Sequence, residues 1–75
     1  MKTSAEIQKI VRELVHNIET VKEDGAVIAV AMPQEVAPGA DGCNWDMSHF
    51  GNASGYVEAI QQVLHQARQQ YQLQT

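Results

Sequence analysis

AVIAVAMP, residues 26–33, decides the fold. Seven apolar residues run without a polar break and stop at Pro33. The run is too short for a buried helix and rich in β-branched side chains, so it predicts a strand. Alternation places Ile28, Val30 and Met32 on one face and Val27, Ala29 and Ala31 on the other. Neither face is polar, so both expect cover. A chain of 75 residues holds material for about two helices. The small-residue face is therefore expected to meet another subunit.

Upstream, residues 3–24 carry Ile7, Ile10, Val11, Leu14, Ile18 and Val21 at three- and four-residue steps, which predicts one amphipathic helix. Thr3 with Glu6 fits a capping box, and Gly25 stands where a left-handed C-cap is expected. Lys9 and Glu13 make an i,i+4 pair on the outer face. Downstream, residues 33–42 hold two prolines and two glycines and read as a loop. A second strand is expected at CNWDM, with Cys43, Trp45 and Met47 on one face and Asn44, Asp46 and Ser48 on the other. The intervening length allows an antiparallel hairpin without demanding one. From Ala53 to about Leu73 a second helix is expected, its stripe formed by Tyr56, Val57, Ile60, Leu64, Ala67 and Tyr71 and its cap by Asn52 or Ser54. Its polar face is neutral and rich in glutamine. The predicted fold is α+β, one α-β-β-α domain over residues 1–75, with two amphipathic helices on a short antiparallel hairpin.

A two-stranded sheet alone is marginal in water, and a domain this small usually draws on disulfides, a metal or a partner subunit. Cys43 is the single cysteine, so no intrachain disulfide can form. Edge pairing with a second copy would give a four-stranded sheet, which makes a homodimer or higher even oligomer the expectation. The net charge of −4 is the wrong sign for a phosphate-backbone binder, so nucleic acid is not an expected partner. No apolar run approaches a membrane span, and MKTSAEIQKIV has no apolar signal core. The expected setting is the cytoplasm.

Residues 41–56, DGCNWDMSHFGNASGY, hold the only Trp, Cys and Phe and three of the five glycines. Cys43, His49 and Asp46 are the residue types of a thiol nucleophile, its base and an orienting acid, but no catalytic signature surrounds the cysteine. Cys43, His49, Asp41 and Asp46 lack the spacing of a metal site, and His16 and His65 read as helix-surface or core-edge residues. Neither catalysis nor a cofactor is expected. Binding fits the segment better. Trp45 beside Asn44 and Asp46 offers a planar face next to hydrogen-bonding groups, with Ser48 and His49 following. Asn52 and Ser54, in GNASG, would open a helix whose free N–H groups favour an anion. Against this, Trp45 can simply fill the core, Asn52 can cap and the glycines can turn the chain.

The string GCNWDMSHFGN followed by a capped helix resembles short phage- or prophage-encoded accessory proteins, over roughly residues 41–73. The resemblance implies small, acidic, oligomeric proteins that disable a host system in the host cytoplasm, by occupying a host protein or by sequestering a small signalling molecule. Three functions stand open. One is a non-enzymatic binder of a small anionic, nucleotide-like ligand at residues 41–55. Another is an inhibitor that binds a host protein directly. The third is a structural oligomer without a ligand. Polar side chains around Trp45 favour the first, and Glu35, Asp41 and Asp46, which repel phosphates, favour the second.

Overall fold

The computed structural model describes residues 1–40 and 42–74. In chain order it contains helices α1 (Ser4–His16) and α2 (Glu19–Asp24), strands β1 (Ala29–Val30), β2 (Gln34–Glu35), β3 (Trp45–Asp46) and β4 (Phe50–Gly51), and helix α3 (Val57–Gln70). The fold is a mixed α+β domain in which helices flank an antiparallel hairpin.

The first helix begins as its sequence specifies. Thr3 Oγ1 accepts the Glu6 N–H at 3.2 Å, and Glu6 Oε1 accepts the Thr3 N–H at 3.1 Å. The expected single helix over residues 3–24 is instead two. Ile18 turns extended, with φ −60° and ψ 128°, and α2 starts anew at Glu19. The break has a purpose visible at His16. Its Nδ1 lies 2.7 Å from Arg12 O, and its Nε2 accepts the Ile28 N–H at 3.1 Å. That pairing fixes the ring proton on Nδ1. A straight helix would carry the chain away from α1, whereas the bend lets residues 26–28 return alongside it. Gly25 closes α2 at φ +62°, the left-handed cap the sequence indicates.

The hairpin is longer than its assigned strands. β1 pairs with β4 through Ala29↔Gly51 and Val30↔Phe50, and β2 pairs with β3 through Gln34↔Asp46 and Glu35↔Trp45, all antiparallel. All four pairs share one register, so the two ladders are parts of a single hairpin interrupted at residues 31–33 and 47–49. Residues 34 and 35, expected in a loop, belong to its distal half, and the Val36 N–H reaches Asn44 O at 3.0 Å beyond them.

The interruption changes which side faces inward. Ile28 and Val30 are buried in the proximal half, but Pro33, Trp45 and Met47 are buried beyond the break. Both arms switch face together, which preserves the register. Met32, expected beside Ile28 and Val30, is therefore 49% exposed, and Pro33 takes the inward place. Pro33 has no N–H to give a ladder, so it suits a break and no central strand.

Helix α3 starts at Val57, later than expected, and neither Asn52 nor Ser54 caps it. Asn52 and Gly55 both take positive φ, +61° and +90°, which holds residues 52–56 in turns, and the cap position falls to Tyr56 without a side-chain bond. Val57, expected on the apolar stripe, is 54% exposed, while Val63 packs against the core in its stead. After Gln70 the chain becomes extended. The Lys2 N–H donates to Gln72 O at 2.9 Å and the Gln74 N–H to Lys2 O at 2.7 Å, so the tail lies parallel to the first residues.

Ile7, Val11 and Val15 of α1 and Ile60, Leu64 and Ala67 of α3 share one buried cluster with Trp45, Cys43, Met47 and Leu73. Burying roughly 200 Å² of tryptophan surface at about 25 cal/mol per Å² contributes on the order of 5 kcal/mol, as an upper bound. No helix among the described residues is long and apolar enough to cross a membrane.

Candidate functional site

The residues with the most conspicuous chemistry turn out to hold the chain's own C-terminal end. Asn44 grips Leu73 with both ends of its amide: Nδ2 donates to Leu73 O and Oδ1 accepts the Leu73 N–H, each at 2.9 Å. A primary amide presents a donor and an acceptor side by side, as a neighbouring strand would, so one side chain replaces a missing strand. Trp45 is fully buried, and its indole N–H donates to Tyr71 O at 2.9 Å. Arg68 Nε donates to Trp45 O at 2.9 Å and stands 3.8 Å from Asp46 Oδ1. The Gln72 amide reaches Gly42 O at 3.0 Å. CNWD and the segment from Arg68 to Leu73 thus form one clasp.

Of the two readings the sequence leaves open for Trp45, it takes the core-filling one and offers no face for stacking. Other sequence expectations are corrected. Asn44 does not point freely outward; it is half-buried against the tail. Asp46 does lie exposed, accepting the Met47 N–H at 2.9 Å. Cys43 is buried with Sγ 3.4 Å from Trp45 O, while His49 is exposed six residues on, roughly 20 Å along an extended arm. A thiol and base so placed do not meet. Asp41 lies outside the described residues; among those described, no three His, Cys, Asp or Glu side chains gather as a metal site. GNASG is not a helix opening, and the Tyr56 N–H already donates to Ala53 O at 2.8 Å. Its N–H groups do not form the anticipated anion cradle.

The other candidates divide. Ser48 and His49 come together on the proximal half of the hairpin, lining a shallow, open depression with Ala29, Ala31 and Gly51. Asn52 borders it, donating from Nδ2 to Val27 O at 3.3 Å. Ser54 sits on an exposed turn outside it. Around the depression, Val27 is 74% exposed, and Met32 stands clear at the break. The result is an uncharged surface of small and apolar side chains on an acidic molecule. Gly51 belongs there for a local reason: a Cβ would stand 2.9 Å from Ala29 Cβ across the strands.

Sequence reasoning missed Gln8, Arg68 and Gln72, and it read His16 as a helix-surface or core-edge residue without its bond to the Ile28 N–H. Gln8 Nε2 donates to Val30 O at 2.9 Å, so that with His16 it covers the outer edge of β1 from α1. Their eight-residue separation, on one helix face, is the only trace of this in the sequence. Comparison with known proteins finds no family model, no curated protein and no solved structure that matches the chain.

Proposed function

We propose that this chain is a non-enzymatic protein-docking module whose working surface is the outward face of the proximal hairpin. The observation that carries the proposal is the exposure of Val27, Ala29, Ala31 and Met32 beside Ser48 and His49, with no formal charge among them. Exposed apolar side chains scattered singly need no explanation, but a contiguous uncharged face on a chain of net charge −4 favours a partner surface. A small anionic ligand has less in its favour, because Trp45 is enclosed and residues 51–55 do not open a helix. Action by direct binding to a host protein agrees with the class of phage inhibitors that residues 41–73 resemble.

The test is capture. Chain immobilised through the exposed Met1 end is exposed to an extract of its source cells, beside a Val27→Asp/Met32→Asp variant. Both substitutions fall on exposed positions and leave the fold intact by circular dichroism. A protein retained by the parent and lost by the variant supports the docking face. Equal capture by both chains refutes it.

A further inference from the structure

We infer that His16 is a pH-sensitive latch, which holds residues 26–28 to α1 while its ring is neutral and releases them when the ring takes a second proton. Nδ1 lies 2.7 Å from Arg12 O, and Nε2 accepts the Ile28 N–H at 3.1 Å. Those two bonds use a neutral imidazole fully, one nitrogen donating and the other accepting. A protonated ring donates from both nitrogens and has no lone pair left. The bond to Arg12 O survives that change. The bond from the Ile28 N–H does not, because two N–H groups then face each other. Histidine ordinarily titrates between pH 5 and 8, so mild acid is enough to reach the change.

The held segment has few other polar attachments, since the strand ladder begins only at Ala29. The Ala26 N–H donates to Val21 O at 3.1 Å, and Val27 O accepts from Asn52 Nδ2 at 3.3 Å. Among the described residues, His16 supplies the hydrogen bond that joins residues 26–28 to α1. The surrounding charges do not replace it. Arg12 and Glu13 precede the ring on α1, Glu19, Lys22, Glu23 and Asp24 follow on α2, and residues 25–30 carry no ionisable side chain. Asp24 is taken by the Tyr56 hydroxyl from the turn beyond. The carbonyl end of α1 favours a positive ring, and Arg12 one turn back opposes it. Neither returns an acceptor to the Ile28 N–H. An unpartnered, part-buried N–H is unfavourable, so residues 26–28 open towards water. One proton enters per opening, which raises the opening constant by up to about tenfold per pH unit. The latch is independent of any partner on the hairpin face.

Amide hydrogen exchange of the full chain tests this, followed by NMR from about pH 7.5 to about pH 5 and corrected for the intrinsic rate at each pH. At neutral pH the His16 nitrogen signals report a proton on Nδ1 and a bare Nε2. On acidification the Ile28 amide loses about ten- to a hundredfold more protection than the Ile60 amide, whose bond to Tyr56 O on α3 reports the whole fold. His16→Gln offers an amide oxygen to the Ile28 N–H and does not titrate, so Ile28 stays protected across the range. If His16→Gln loses its fold, His49→Gln/His65→Gln removes the other two histidines and keeps the acid response at Ile28. A His16 ring protonated on Nε2 at neutral pH overturns the latch, as does an Ile28 amide that is unprotected there or that follows Ile60 throughout. An acid response that persists in His16→Gln, or disappears in His49→Gln/His65→Gln, assigns it to another group and overturns the latch equally.

Discussion

Alanine at Asn44 separates a clasp from a recognition loop. Asn44→Ala deletes two hydrogen bonds of 2.9 Å to the Leu73 backbone, both half-buried, and leaves the Val36 N–H to Asn44 O bond in place because that one is backbone. Each lost bond costs about 0.5–1.5 kcal/mol net, so the pair costs about 1–3 kcal/mol. For a domain of this size each kcal/mol moves the midpoint by roughly 4–8 °C, and a loss near 2 kcal/mol lowers Tm by about 8–16 °C. Asp46→Ala, two residues on, gives the contrast. Its carboxylate is exposed, its ion pair with Arg68 is long at 3.8 Å, and its other bond is to the next residue, so the change stays within about 0.5 kcal/mol. Thermal melts by circular dichroism measure both, and hydrogen exchange at the Leu73 amide localises the first. Equal melting of Asn44→Ala and the parent, with Leu73 still protected, would refute the clasp.

Three other perturbations address separate parts of the molecule. Gly51→Ala forces a Cβ to within 2.9 Å of Ala29 Cβ and destabilises by about 1–3 kcal/mol, and the exchange Gly51→Ala/Ala29→Gly recovers part of the loss; a Gly51→Ala chain as stable as the parent in urea contradicts the cross-strand crowding. The Thr3 N–H and hydroxyl hold the Glu6 carboxyl below its ordinary range, so its capping contribution is full above the unfolded value and is lost as pH falls through the folded one. Urea melts down through the carboxylate range read this, and Glu6→Gln removes that part of the slope; an identical slope in the variant disproves it. Tyr56 donates its hydroxyl to Asp24 at 2.5 Å, and that bond to the carboxylate, which ionisation would forfeit, holds the phenol above its usual value. The stabilisation is present below the unfolded value and disappears as pH rises through the folded one, so Asp24→Asn should bring phenolate absorbance in at lower pH; an unmoved midpoint counts against the bond.

Legibility in the sequence follows the range of the interaction. The Thr3–Glu6 box and the Gly25 cap depend on residues within one turn, and both are written locally. Cys43, Trp45 and Met47 alternate, and all three are buried, because a pleat imposes a period of two on any half-buried strand. The break at residues 17–18 has no proline or glycine to announce it. It follows from where Ile28 must return, twelve residues away from His16. Met32 fails for a similar reason: the apolar run continues evenly through residue 32, but the hairpin turns its other side inward at Pro33. At the candidate site, the polar groups around Trp45 were legible as residue types, not as partners. An asparagine that grips a backbone 29 residues away looks, in one dimension, like an asparagine that awaits a ligand.

The parallel pairing of Lys2 with Leu73 bears on the order of events during synthesis. Joining residues so far apart closes nearly the whole chain into a loop, with a length-dependent entropy cost of about 4 kcal/mol. Such a contact cannot nucleate folding; it closes onto a body that has already collapsed. While residues 71–74 are still inside a ribosome, the Trp45 indole N–H and the Asn44 amide have no backbone to meet, and the nascent hairpin carries unmet polar groups against its apolar core. The clasp is completed only once residues 71–74 are available to those two side chains.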